Sequence, residues 1–231
     1  MSLSASGADI RGMFDRIAGR YDRANRVMSA GVDVLWRRKA IRNLLAGLGP
    51  SPCVLDLGAG TLDGAIEILR KRPEAHVFAA DFARNMLVLG RQKPRAAKVV
   101  VQVADGQALP YRAAVFDAAF SAFCVRNLRD LGQAMAELRR VVRPGGRIAI
   151  LEFFRPTRRR PFWDGFYNAR VLPLLGRAVT GDEAAYRYLP ESIAQFLTRV
   201  EFEDHLRAVG FANIRGQELF PAGVASLVVA E

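Results

Sequence analysis

The sequence predicts an α/β fold: a seven-stranded, mostly parallel sheet with helices on both faces and a C-terminal antiparallel hairpin. Three observations carry that expectation. An apolar run from Cys53 to Leu57 ends in a glycine turn, and the helical pattern Ala65, Ile66, Ile68, Leu69 begins at once. The alternation of strand, helix and strand then repeats with short links, which implies parallel, doubly wound strands. Carboxylates recur at the strand ends, at Asp56, Asp81 and Asp105, along the edge where open α/β sheets bind ligands.

Taken in order, residues 10–49 hold no strand signal. Phe14, Ile17 and Tyr21 share one helical face, and Leu35, Trp36, Ala40, Leu44 and Leu45 form a second stripe after a break at Gly31. Residues 1–50 therefore read as a helical cap on a ligand-binding domain over 51–231. Pro73 closes the first crossover, and a second strand from His76 to Ala80 ends at Asp81. The third strand runs Lys98 to Val103 and leads to Asp105 and Gly106, and the fourth runs Phe116 to Phe123. A helix capped by Asp130 carries Leu131, Met135, Leu138 and Val142, and Pro144-Gly145-Gly146 stops it before a fifth strand, Arg147 to Phe153. At about 155–197 the pattern breaks into an insertion rich in Arg, Tyr, Phe and Pro, read as a substrate lid. Thr198 and Glu201 form a capping box for the last helix, and strands near Asn213 to Leu219 and Val224 to Ala230 close the sheet.

The turn after the first strand is chemically specific. Gly58 and Gly60 let backbone approach a ligand, and the next helix offers unpaired N–H groups. A dinucleotide fingerprint would place a third glycine at 63, where Asp63 stands instead and would repel a pyrophosphate. The site suits a ligand bearing an amino acid and a sulfonium, with Asp56 attracting the positive charge directly or through water. A helix-packing turn is the alternative reading. Asp81 lies about twenty residues beyond the turn, where an acid accepts both ribose hydroxyls of a nucleoside. Phe82 and Met86 are placed to flank an adenine ring or to pack in the core, and Asp105 could accept an exocyclic amine.

Composition narrows the class. No apolar run approaches the ~18 residues of a spanning helix, and the polar stretch Met1 to Asp9 lacks the zones of a signal peptide, so a cytoplasmic protein is expected. Cys53 and Cys124 show neither metal-ligand spacing nor a disulfide framework, and only His76 and His205 could join them. The net charge of +11 favours anionic partners. Of the basic clusters, Arg155 to Arg160 stands beside the insertion, while the others read as solvated helix ends.

Longer motifs point to a family. They are Met13-Phe14-Asp15-Arg16-Ile17-Ala18 with Tyr21-Asp22 and Asn25, then Asp81 with Met86-Leu87 and Gly90-Arg91, Ala108-Leu109-Pro110, Phe116-Asp117 and Arg126-Asn127. Arg140 to Arg147 and Leu151-Glu152-Phe153 continue the series, and Leu172 to Gly176, Asp182 and Tyr186 to Ile193 complete it. With these the chain resembles the Rossmann-like class I methyltransferases that use S-adenosylmethionine, and more narrowly, over nearly its whole length, the UbiE/MenG-type quinone C-methyltransferases. The Tyr-Arg-Tyr-Leu-x-Glu-Ser-Ile run and the Arg-Asn pair are the diagnostic parts. The sequence departs from that pattern at Leu62, where the family has glycine, and at Ala122 and Cys124, where it has serine and glycine.

The resemblance implies S-adenosylmethionine as cofactor, bound by Asp56, Gly58, Gly60, Thr61, Asp81, Phe82, Met86, Asp105, Gly106 and Ser121. It also implies C-methylation of a polyprenylated quinol ring in menaquinone or ubiquinone biosynthesis, with Arg126, Tyr21 and Asn127 as catalytic candidates and Asp15, Asp182 and Tyr186 behind them. Arginine is too basic to take a proton at neutral pH, so Arg126 would polarise the ring oxygen or order a water. A membrane-dissolved substrate accounts for the basic surface through transient contact with anionic lipid better than nucleic acid does, and a homodimer is compatible with the sequence. Other readings on the same frame are a methyltransferase for another small molecule or phospholipid, an RNA methyltransferase, and a non-catalytic S-adenosylmethionine-binding partner in quinone biosynthesis.

Overall fold

The computed structural model describes residues 7–158, 183–220 and 224–231. Strands β1 (Cys53–Leu57), β2 (His76–Asp81), β3 (Val99–Val103), β4 (Phe116–Ala122), β5 (Val142–Glu152), β6 (Arg215–Glu218) and β7 (Ser226–Ala230) form one sheet in the order β3-β2-β1-β4-β5-β7-β6. The first five are parallel, and β7 runs antiparallel between β5 and β6. From β1 the chain builds outward through β2 and β3, then returns to lay β4 on the other side. That reversal opens a crevice at the carboxyl ends of β1 and β4, where such sheets take ligands.

Helices α1 (Gly7–Met28), α2 (Val32–Leu45), α3 (Asp63–Lys71), α4 (Arg84–Gly90), α5 (Leu131–Val141), α6 (Glu183–Gln195) and α7 (Arg199–Ala208) surround it. The break between α1 and α2 falls at Ala30 and Gly31, both at positive φ. α2 sends Trp36, Ala40, Ile41, Leu44 and Leu45 into the core. Leu35, expected on that stripe, is 60% exposed, because the buried face follows the spacing 36, 40, 41, 44, 45 and residue 35 lies off it. The other face of the sheet packs Met135, Leu138 and Val141 of α5 with Phe202 and Leu206 of α7.

Local signals explain most boundaries. Asp130 accepts from the Gln133 N–H at the start of α5, and Thr198 and Glu201 complete the expected capping box on α7. β5 begins at Val142, directly after α5, and not at Arg147 as the sequence suggested. Phe116 pairs with Val142 and Ala118 with Arg147, so Pro144-Gly145-Gly146 is a bulge inside the strand, with Gly145 at φ 73°. Asp117 accepts from the Cys53 N–H at 2.7 Å and pairs with Arg143, fastening the starts of β1 and β4. Of the insertion, α6 carries Pro190 inside the helix. Asp182, Arg159, Arg160 and Leu172 to Gly176 lie outside the described residues.

Leu62 marks the family departure in three dimensions. It caps α3 at φ 67°, a conformation that costs a branched-chain L residue and that glycine adopts freely. Its side chain is fully buried and lies over Gly90, where a Cβ would come within 2.5 Å of Leu62 Cγ. Burial of the leucine therefore offsets the backbone cost, and it requires a glycine opposite.

Candidate active site

The donor side of the crevice is built by backbone. The Gly58 and Ala59 N–H groups donate to the Ala80 carbonyl at 2.8 and 3.1 Å, drawing the turn after β1 against the end of β2. Asp81 then clamps it: its carboxylate accepts from the Gly60 and Ala83 N–H groups, each at 2.8 Å. Gly58, at φ 67°, has no room for a Cβ against Cys124, whereas a Cβ on Gly60, at φ 51°, would meet nothing within 4 Å. The bend is closed beneath and open at Gly60, the shape a ligand needs to reach main chain. Burial raises the Asp81 carboxyl, opposed by the hydrogen bonds from Ala83 and Gly60.

Asp56 ends up under the start of α3. It is 2% exposed, accepts from the Ala65 N–H, and its Oδ2 has no hydrogen-bond partner among the described residues. Burial pushes its carboxyl up to about 7. A buried carboxylate oxygen of this kind is costly unless a donor or cation meets it; Arg37 acts on the group through space and partly opposes the effect of burial. The carboxylate packs against Gly64, where a Cβ would stand 2.6 Å from that oxygen.

The remaining donor-side candidates differ in placement. Ser121 is buried and donates to the Leu57 carbonyl at 2.8 Å, tying the tips of β1 and β4. Gly106 is buried near Leu57 and Leu128, and Asp105 is exposed, accepting from the Gln107 backbone and side chain. Phe82 is half-buried with its ring 6.4 Å edge-on to Phe14 of α1. Met86 is buried in the small cluster of Met13, Ala18 and Ala83 that seats α1 on α4.

Thr61 and Asp63 belong to an ion network. The Thr61 hydroxyl donates to Asp22 of α1 and accepts from Lys93 at 3.0 Å. Lys93 also reaches Asp63 at 2.7 Å, Arg26 bridges Asp63 and Asp33 at 3.0 and 2.6 Å, and Arg37 pairs with Asp33 at 3.2 Å. Although burial acts to raise the Asp63 carboxyl, Arg37, Lys93 and Arg26 hold it below the usual range. Asp63, expected to repel a pyrophosphate, is neutralised by three cations and joins α1, α2, α3 and the turn after α4.

The acceptor side lies across the crevice, in the 3-10 turn Val125–Asn127 after β4. Arg126, whose side chain is 7% exposed, pairs through Nη1 with Glu152 Oε1 at 2.6 Å. Nη1 also donates to the Phe123 carbonyl at 2.9 Å and Nε to Ser192 at 3.3 Å, and the guanidinium lies 5.7 Å over the Phe153 ring. Asn127 Oδ1 accepts from the Tyr188 hydroxyl at 2.9 Å, which docks α6 on this turn. Phe123 and Phe153 stack at 4.6 Å with Trp36 beside both, forming an aromatic wall. Burial raises the Tyr188 phenol, and the Cys124 thiol is pushed well up, chiefly by burial with help from Asp81 and Glu152, so both stay protonated at neutral pH. Tyr21 lies in α1; its side chain, like that of Tyr186 in α6, is outside the described residues.

Sequence reading missed Glu152, Tyr188 and Ser192 as partners of the Arg-Asn pair. Glu152 looked like the end of an apolar strand, and only a charge inside such a run could have signalled it. The Tyr-Arg-Tyr run marks this segment, but the helical phase that brings Tyr188 to the turn is invisible across the insertion.

Similarity to known proteins identifies the family. A profile of the ubiE/COQ5 methyltransferase family matches residues 3–230. The chain is 38% identical to the ubiquinone/menaquinone biosynthesis C-methyltransferase UbiE of Geobacter sulfurreducens, over 99% of this chain and 90% of that one. It is 41% identical to the demethylmenaquinone methyltransferase of Thermus thermophilus, over 95% and 99%. Among solved structures, a SAM-dependent methyltransferase from Thermotoga maritima superposes with a TM-score of 0.64 at 17% identity, covering 95% of this chain and 97% of that one, which supports the fold. With its glycine bend, its strand-end acids and this coverage, the chain belongs to the ubiE/COQ5 methyltransferase family and is an S-adenosylmethionine-dependent methyltransferase.

Proposed function

We propose that the protein methylates a ring carbon of a polyprenylated quinol, with demethylmenaquinol as the preferred acceptor. The observation that carries this reading is the buried Arg126 with Glu152, Asn127 and Tyr188, set against an aromatic wall and reached from the same loop whose Cys124 packs on Gly58. S-adenosylmethionine, when bound, supplies an electrophilic methyl group on a sulfonium. Asp81 would accept the ribose hydroxyls, Asp56 would meet the positive charge, and Phe82, Gly106 and Asp105 would border the adenine. Gly60 would contribute open main chain, while Thr61, Ser121 and Met86 would hold the frame around it.

A quinol ring carbon becomes nucleophilic as the adjacent hydroxyl loses its proton. The Arg126 guanidinium stabilises the developing oxyanion, and the proton leaves through water, since arginine cannot accept it. Asn127 and Tyr21 would orient the quinol oxygens so that the ring carbon stands roughly 3–3.5 Å from the methyl group. The test is turnover of purified protein with reduced demethylmenaquinol, together with the quinones extracted from a deletion strain. Methyl transfer to the quinol and accumulation of the demethyl precursor are expected; donor binding with no quinol turnover would reject the substrate.

Asp56 gives this reading a proton signature. Its folded carboxyl is raised from 3.8 to about 7, so the stability it lends is complete below the unfolded value and is lost as pH rises toward the folded one. A cation arriving beside it favours the ionised form. Binding of S-adenosylmethionine at pH 6 should therefore release roughly 0.5–0.9 proton, and little at pH 8. Calorimetry in two buffers of different ionisation enthalpy measures this, and Asp56→Asn should abolish the difference.

Contact with an anionic bilayer is the second part of the proposal. Among the described helices none is long and apolar enough to cross a membrane. Leu35 at 60% and Phe220 at 88% exposure flank Trp36, whose indole donates to the Phe220 carbonyl at 2.6 Å, and Arg42 is exposed on the same helix. Arg155, from the basic cluster beside the insertion, is half-exposed and pairs with Glu201 at 2.9 Å. Co-sedimentation with vesicles should rise with anionic lipid and fall in salt; indifference to lipid charge would remove the bilayer from the account.

A further inference from the structure

We infer that Glu152 is a positioning residue for the acceptor reaction: from the sealed end of β5 it fixes the Arg126 guanidinium so that the arginine's remaining donor edge is held on the acceptor oxygen. The inference rests on the proposed quinol substrate and on Arg126 as its electrostatic partner.

The geometry is unusual for a strand end. Glu152 is 0% exposed and pairs in register with Ser226 of β7, inside a sheet whose neighbouring positions are apolar. Oε1 takes the Arg126 Nη1 at 2.6 Å and the Phe153 N–H at 2.7 Å, and Oε2 faces the Arg126 backbone N–H at 3.4 Å. The carboxylate thus grips the arginine by guanidinium and main chain together. With the Phe123 carbonyl and Ser192, it occupies Nη1 and Nε.

A buried ion pair of this kind adds little net stability over well-packed apolar groups of the same volume. What it does supply is orientation, since a charged acceptor at this distance admits few guanidinium poses. The charged and titratable groups around Glu152 are Arg126 and Cys124 from the loop after β4 and Tyr188 from α6, while on β7 the register partner is the neutral Ser226. Arg126 is the one cation among them, and burial, which raises the Glu152 carboxyl, is opposed chiefly by that arginine.

Glu152→Gln and Glu152→Asp, assayed with S-adenosylmethionine and a reduced short-chain demethylmenaquinol, test this. Both variants should bind S-adenosylhomocysteine within about twofold of the parent, and kcat should fall about 100-fold in the glutamine variant and about 10-fold in the aspartate variant, as for a misplaced transition-state donor. The acid limb of the kcat profile should move to higher pH, because a displaced guanidinium lowers the quinol's own pKa less. Should Glu152→Gln fail to fold, Glu152→Asp, which keeps the charge and withdraws it by one methylene, carries the test. Unchanged kcat and limb in a folded variant would overturn the inference. So would a limb moved to lower pH with kcat retained, the mark of a carboxylate that only weakens the arginine's field. No quinol turnover by the parent protein would reject the substrate reading and this inference with it, a result distinct from active variants.

Discussion

Replacing Arg126 with alanine is expected to lower quinol methylation by about 10³-fold, the scale of a lost transition-state donor in a water-poor site. Affinity for S-adenosylhomocysteine should change by no more than about twofold, because the contacts of Arg126 run to Glu152, Phe123 and Ser192 and none to the glycine bend. The variant also leaves Glu152 buried without its cation, which for a broken buried pair costs about 3–5 kcal/mol. That cost is softened by protonation of a carboxyl that burial has already raised. Stability of the variant should accordingly fall as pH rises, since the proton that relieves Glu152 is then lost. Arg126→Lys should recover charge but little rate, as an ammonium cannot span Glu152, the Phe123 carbonyl and Ser192 together. Methylation at more than a tenth of the parent rate would remove Arg126 from the chemistry.

The second large effect is expected at Asp81, and it falls on binding. Both carboxylate oxygens already accept a backbone N–H, from Gly60 and from Ala83. In Asp81→Asn, whichever way the amide is turned, one of those N–H groups faces an NH₂. The bend is then pushed open, and the ribose loses an acceptor as well. Hydrogen bonds to a charged group are worth about 1.5–3 kcal/mol each, so affinity for S-adenosylhomocysteine should drop by about 100-fold, near 2.7 kcal/mol. Calorimetry reads the loss directly, and a change under threefold would take the ribose away from Asp81.

How much of this was legible depended on distance along the chain. The bend at Gly58 to Gly60, the strand ends at Asp56 and Asp81, the caps at Asp130 and Thr198 and the closing hairpin are local patterns, and they appear where the residues placed them. The neutralisation of Asp63 has no local signature, because its partners Arg26, Arg37 and Lys93 come from three other segments. Gly145 and Gly146 read as a helix stop along the chain, and only the pairing of Val142 with Phe116 makes them a bulge inside β5. Glu152 gives no local signal for the same reason of range: its cation is 26 residues away. Leu35 failed on phase, a single position off the buried spacing.

The carbonyl of Phe123 has a consequence for how the site can vary. That residue sits at φ 57°, and its one oxygen accepts from both Arg126 Nη1 and Asn127 Nδ2, at 2.9 and 3.4 Å. Two neighbouring side chains are thereby moored to a shared post, and α6 hangs from the second of them through Tyr188. Their energetic contributions are not separable: in a double-mutant cycle the pair should lose less together than the sum of its parts. Drift toward a different acceptor would have to carry arginine, asparagine and helix along at once, which makes this corner resistant to stepwise change.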